Sequence, residues 1–130
     1  MNNNIIGFVY LFTALAANVT SQLLIKWRVS NHIVSLLPLP DKIFDKFIFV
    51  LKILIDPFIF SACLLTLTGG LLWIATMTKM EISYAYPFTM LGFIAVLVLS
   101  VLLFGESMNI YKIIGCSIIV IGVLITSRGL

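Results

Sequence analysis

Long hydrophobic runs separated by short polar interruptions dominate the residue pattern of this chain. A helix needs about 20 consecutive apolar residues to cross the hydrocarbon of a bilayer. Four runs meet that requirement; they lie at about 5–26, 57–78, 82–104 and 109–127. The pattern therefore predicts an all-α integral membrane protein built as a four-transmembrane-helix bundle.

Residues at the ends of these runs carry the signals expected of helix termini. Residues 26–28, Lys-Trp-Arg, close the first run with the charged and aromatic side chains typical of a membrane boundary. Asp56 suits an N-cap, and Pro57 suits the first turn of the second helix. Gly105 follows the third run and is a plausible C-terminal stop.

The connection between the first two spans, residues 27–56, is far longer than the other two connections. Pro38 and Pro40 exclude a continuous helix through it. Residues 41–55 then place charged side chains near one stripe and apolar side chains over much of the rest. We predict an amphipathic interfacial helix here. The alternative is a fifth, tilted crossing, which would have to bury Lys46 or Lys52.

Composition agrees with a membrane protein: 62% of the 130 residues are apolar, 10% are charged, and the mean hydropathy is +1.20. Soluble domains contain about 25% charged residues. A single domain over residues 1–130 follows from the length. Both cysteines lie inside apolar runs, so no disulfide framework, metal site or cofactor is predicted. No dense basic tract is present, which argues against nucleic acid as a partner.

The distribution of Lys and Arg predicts the orientation, because cytoplasmic loops of membrane proteins are enriched in both residues. Two cations lie on the side of the chain termini, namely Lys79 and Arg128. Six lie on the opposite side: Lys26, Arg28, Lys42, Lys46, Lys52 and Lys112. We therefore expect the long connection in the cytoplasm and both termini outside.

Polar side chains on the first span are the clearest functional candidates, since such groups in hydrocarbon need a partner or a water-filled cavity. Asn18, Ser21 and Gln22 follow helical spacing, and Lys26 continues the row at the membrane boundary. This stripe suits hydrogen bonding to a sugar or hydroxylated head group, with Lys26 against a phosphate. Alternatively, the amides join helices and Lys26 is a boundary anchor.

The start of the third span combines hydroxyl groups with a proline. Pro87 lacks an N–H and clashes with the carbonyl four residues earlier, so the carbonyl of Ser83 is freed and a kink is predicted. Tyr84, Tyr86 and Thr89 surround this point in the sequence. They form a second candidate binding group, although Tyr84 also fits an ordinary aromatic belt at the membrane boundary.

Gly115 and Gly122 are one heptad apart in the fourth span. Such small residues form a groove that another helix can approach closely. We predict a dimer interface along this groove; packing within the bundle is the alternative.

Within the four spans, no acidic residue or histidine occurs, and Lys26 and Lys112 lie at their ends. The chain also lacks a nucleophile constellation and a glycine loop that would cradle phosphate. These observations argue against an enzyme and favour recognition through neutral hydrogen bonds.

Four motifs together resemble the small four-helix branch of the drug/metabolite transporter superfamily: residues 15–26, the Ala-Tyr-Pro element at 82–87, residues 104–106, and the glycine heptad within 113–123. The long connection lies outside this resemblance. Small multidrug resistance (EmrE-like) exporters of this branch carry a proton-exchanging glutamate in their first helix. The matching position here is Asn18, which does not titrate.

The uncharged first helix with Gln22 and Lys26 is more similar to ArnE/ArnF-like subunits. That resemblance implies a flippase or flippase subunit for an undecaprenyl-phosphate-linked sugar in the bacterial inner membrane. Four helices are too few to enclose a polar path on their own, so we expect a homodimer or a heterodimer with a related small membrane protein, with membrane lipid as a further partner. The alternatives are a small multidrug-resistance-like exporter of organic cations and a non-transporting membrane scaffold for a glycosyltransferase.

Overall fold

The computed structural model describes residues 3–33 and 42–128. The helices are α1 (Asn3–Arg28), α2 (Ile43–Ile55), α3 (Pro57–Met77), α4 (Ile82–Phe104) and α5 (Ile110–Ser127), and a π-helical segment, Val29–Ile33, follows α1. Helices α1, α3, α4 and α5 are long and apolar enough to cross a membrane. The predicted fold, four membrane-spanning helices with a shorter helix between the first two, is confirmed.

Three helix ends follow directly from local sequence. The Asp56 side chain accepts hydrogen bonds from the backbone N–H groups of Phe58 and Ile59, at 3.0 and 3.4 Å, as its predicted role as an N-cap requires. Gly105 ends α4 with a φ of 65°, a left-handed conformation that glycine adopts without steric cost. Asn109 caps α5 by accepting from the backbone N–H of Lys112 at 2.9 Å.

The tightest packing in the bundle is between α1 and α3. A Cβ atom placed on Gly69 would lie only 2.6 Å from Nδ2 of Asn18, so the two helices meet where α3 has no side chain. Small buried residues continue this contact on both helices: Ala14, Ser21, Ala62 and Thr76. Small residues allow close backbone approach, which is the main source of helix association in lipid.

An aromatic cluster joins α1 to the start of α4. The Phe8 ring meets the rings of Tyr84 and Phe88 edge-on, with centroids 6.0 and 5.5 Å apart. Leu11 and Ala85, both fully buried, pack beside this cluster. The cluster lies at the end of the bundle that carries the chain termini.

Helix α5 is attached to the bundle mainly through α4. Most of its side chains are exposed, and Val123 is the buried residue of the helix. A Cβ atom placed on Gly115 or on Gly122 would have nothing within 4 Å of it. The glycine groove of α5 is therefore not filled by the described part of this chain.

Candidate functional site

A cavity of about 360 Å³ lies between α1 and α4, with α3 behind it. Its lining residues are Ala14, Leu15, Asn18, Val19 and Gln22 of α1, Trp73 of α3, and Thr89, Gly92, Phe93 and Val96 of α4. Gly92 permits the close approach of α4, since a Cβ atom there would lie 3.2 Å from Cδ2 of Leu15. We call this space the α1–α4 groove.

The α1–α4 groove brings together three of the predicted site residues. Nδ2 of Asn18 donates to the carbonyl of Ala14 at 3.0 Å, which fixes the amide beside the cavity. Gln22 lies one turn further along α1, and its side chain is exposed. Oγ1 of Thr89 donates to the carbonyl of Tyr86 at 2.6 Å from the opposite wall. Two amides and a hydroxyl thus face a space with otherwise mostly apolar walls.

Ser21 belongs to the α1–α3 contact and not to the groove. It is 1% exposed, and its Oγ lies 2.6 Å from Oγ1 of Thr66. Thr66 in turn donates its single hydroxyl hydrogen to the carbonyl of Ala62 at 3.0 Å. Ser21 is therefore the donor to Thr66, and the pair links two membrane helices.

Lys26 lies at the end of the groove nearest the long connection. Its Nζ is 2.8 Å from Oε1 of Glu106, and both side chains are partly exposed. A second cavity of about 440 Å³ adjoins this ion pair, lined also by Trp27, Ser30, Asn31, Leu103 and Phe104. The hydrogen bond from Lys26 holds the pKa of the Glu106 carboxyl below its usual range.

Arg28 has a structural partner. Its Nε lies 3.0 and 2.9 Å from the two carboxylate oxygens of Asp56, and its guanidinium group stacks over the ring of Phe58 at 5.1 Å. The hydrogen bonds from Arg28, more than those from the backbone, lower the pKa of Asp56. This ion pair joins the end of α1 to the start of α3.

The two predicted tyrosines lie apart from the amides of α1. Tyr84 packs in the aromatic cluster and borders a third cavity, of about 690 Å³, at the α3–α4 turn. Tyr86 is exposed, with its ring 6.0 Å from the ring of Trp73. Pro87 lies within α4, and the helix continues through it from Ile82 to Phe104.

Some residues of the site were not anticipated from the sequence. Trp73 and Phe93 supply aromatic walls. Glu106 belongs to the motif at 104–106, but its contact with Lys26 was not predicted. Trp73 follows Gly69 by four residues and therefore shares its face of α3. That spacing from a glycine was a usable signal for a residue near the contact with α1.

In a comparison with known families, residues 4–128 match the EamA-like transporter family. The chain belongs to the EamA-like transporter family. It is therefore a multi-pass membrane protein and a transporter of the drug/metabolite type. No curated protein and no solved structure matches this EamA-like chain. The family match includes the connection between α1 and α3, which the motif resemblance did not cover.

Proposed function

We propose that this EamA-like protein is a flippase, or a flippase subunit, for a polyprenyl-phosphate-linked sugar. The observation that carries the proposal is the neutral polar lining of the α1–α4 groove. The amides of Asn18 and Gln22 can donate and accept hydrogen bonds, and the Thr89 hydroxyl, whose hydrogen goes to the Tyr86 carbonyl, can accept one, as the hydroxyls of a sugar require. The exposed apolar surface of the bundle leaves the polyprenyl tail in contact with lipid.

The ion pair between Lys26 and Glu106 supplies an entry site for the phosphate. A phosphate that replaces the Glu106 carboxylate keeps Lys26 paired with an anion, and the displaced carboxylate, which is 35% exposed, is left to be solvated by water. The head group would enter here, from the cytoplasmic side, and then move along the groove past Gln22 and Asn18. Its direction would follow from supply on one side and removal on the other.

A dimer completes the transport path in this proposal, because four helices are too few to enclose a polar path. The unfilled groove at Gly115 and Gly122 is the surface on which a partner helix would pack. The partner would be a second copy or a related small membrane protein, and the membrane would be the bacterial inner membrane.

A flipping assay with the purified protein in liposomes tests the proposal directly. The substrate is a polyprenyl-phosphate sugar, and the readout is its protection from a membrane-impermeant reagent. Gln22→Leu and Thr89→Val should each lower the flipping rate about two- to tenfold, the value of one lost hydrogen bond. Thr20→Val is the matched control, because Thr20 is exposed on the opposite side of α1.

Equal flipping rates in the wild type, Gln22→Leu and Thr89→Val would contradict the proposal. Movement of an organic cation coupled to a pH change in the liposomes, without sugar flipping, would indicate a multidrug exporter instead. Copurification with a glycosyltransferase through residues 30–55, with no transport of either substrate, would indicate a scaffold.

Changing each partner of the ion pair separately tests the entry step, because the KM should move in opposite directions in the two variants. Lys26→Gln removes the cation and should raise the KM for the lipid-linked substrate. Glu106→Gln removes the competing carboxylate and should lower that KM, because Lys26 is then left without a negative partner. If both variants keep the KM of the wild type, Lys26 acts only as a membrane anchor.

A further inference from the structure

Helix α2 exposes an apolar surface that the described part of the chain does not cover. None of its residues is buried. Its exposed apolar side chains are Ile43, Phe44, Phe47, Ile48, Val50, Leu51, Leu54 and Ile55. At 100° per residue they cover nearly half of the helix circumference. We call this surface the apolar face of α2.

The charged residues at α2 lie on a different side of the helix from its apolar face, and they are spread along its length. Lys42 directly precedes the helix, Asp45 and Lys46 lie in its first turns, and Lys52 lies near its end. On the helical wheel these charges share one side with Phe49 and Ile53, the two partly buried residues of the helix. The boundary between polar and apolar surface therefore runs parallel to the helix axis.

This arrangement fits a helix that lies along the membrane surface. A crossing helix would carry its charges at the ends, whereas here Lys46 lies inside the helix. With 13 residues, α2 is about 20 Å long at a rise of about 1.5 Å per residue, against a hydrocarbon core of about 30 Å. A fifth crossing is thus incompatible with both the length and the charge pattern.

The junction with α3 holds α2 at the level of the membrane boundary. Asp56, with φ −57° and ψ 127°, interrupts the helix so that α2 and α3 are separate elements. The same residue caps α3 and binds Arg28 at the end of α1. Because α1 ends and α3 begins at this point, the C-terminal end of α2 lies at the surface of the bilayer that both helices span, and α2 also contacts α3.

We propose that α2 is a docking surface for the anionic phospholipid of one bilayer leaflet. Its apolar face enters the acyl-chain boundary, and Lys42, Lys46 and Lys52 bind lipid phosphates, with Asp45 as the opposing charge within the helix. A lipid surface is favoured over a protein partner because the junction already places α2 at the membrane boundary. The proposal concerns attachment of this helix and is independent of the transported substrate.

Spin-label accessibility in the full-length protein tests this placement. In a background with Cys63→Ala and Cys116→Ala, single cysteines at positions 47 and 50 report on the apolar face, and those at positions 45 and 52 report on the charged side. The protein is reconstituted in an equimolar mixture of phosphatidylcholine and phosphatidylglycerol. Labels on the apolar face should collide mainly with oxygen, and labels on the charged side mainly with a water-soluble nickel chelate.

The lipid charge and the lysines are then varied. Reconstitution in phosphatidylcholine alone, or the double change Lys46→Gln and Lys52→Gln, should raise the nickel accessibility at position 47 at least twofold. Lys79→Gln, at the opposite end of the bundle, is the matched control and should change nothing.

Three results would overturn the proposal. Equally high accessibility to the nickel chelate at all four labelled positions would place α2 in water. Protection of positions 47 and 50 from both reagents would indicate a protein partner. Nickel accessibility that does not respond to lipid charge or to the lysine changes would remove the role of anionic lipid.

Discussion

Gly69 in α3 and Gly122 in α5 are both glycines in apolar helices, yet the first is tightly packed and the second faces open space. At Gly69 the amide of Asn18 occupies the space that a side chain would need, whereas nothing lies within 4 Å of a Cβ placed on Gly122. The first glycine brings two helices of this chain together. The second provides the same kind of surface and has no neighbour in the described part of the chain.

This difference divides the bundle into a packed half and an open half. The contact between α1 and α3 contains most of the fully buried side chains, together with the hydrogen bond between Ser21 and Thr66. Helix α5 has one buried residue, Val123. Stability of the single chain should therefore depend on the first half, and association with a partner on the second.

Gly69→Val should have the largest effect on folding. The added side chain must displace Asn18 and separate α1 from α3, and such overpacking costs about 1–3 kcal/mol. The measurement is thermal unfolding of the purified protein in detergent, with Gly70→Val as the matched control because the space around Gly70 is open. Equal melting temperatures of the two variants would show that the close contact at Gly69 is unimportant. Asn18→Ala should partly restore the stability of Gly69→Val.

Loss of the ion pair between Arg28 and Asp56 should have the next largest effect. The pKa of Asp56 is lowered from its ordinary 3.8, so the carboxylate binds protons less readily when folded. Its stabilising contribution is therefore present above pH 3.8 and is lost as the pH falls through the lowered pKa. Asp56→Asn keeps an oxygen for the helix cap but should lower the melting temperature at pH 7 and flatten its acid dependence.

Glu106→Gln is the control for this acid transition, since Glu106 also has a lowered pKa. It should leave the part of the transition caused by Asp56 in place. An identical acid profile in wild type and Asp56→Asn would remove the link between this ion pair and stability.

The hydrogen bond between Ser21 and Thr66 should contribute less. A double-mutant cycle with Ser21→Ala and Thr66→Val should give a coupling of about 0.6 kcal/mol, typical of side-chain hydrogen bonds between membrane helices. Ser117→Ala is the control in the open half, because Ser117 donates within its own helix to Ile113. A coupling of zero would mean that the two hydroxyls find equally good partners when separated.

Gly122→Leu should have the smallest effect on folding of the single chain, within about 0.5 kcal/mol, because the added side chain meets open space. It should nevertheless abolish self-association measured by cross-linking in liposomes. Gly70→Leu, equally unobstructed but on α3, should leave association intact. A variant Gly122→Leu that still cross-links fully would place the partner surface elsewhere.

The sequence predicted the spans because hydropathy alone identifies helices that lipid surrounds. It predicted the roles of Asp56 and Gly105 because helix caps depend on neighbouring residues. Pairs such as Arg28 with Asp56 were not predicted, since their contact depends on how separate helices meet. Ser21 and Gln22 were placed in one stripe, but adjacent residues differ by 100° around a helix and so meet different neighbours.

The ion pair between Arg28 and Asp56 has a consequence for how this chain can change over evolution. It joins the end of α1 to the start of α3 directly, through two residues that lie outside the segment 34–41. Insertions and deletions between residues 34 and 41 should therefore be tolerated, and this segment can diversify while the spans keep their register.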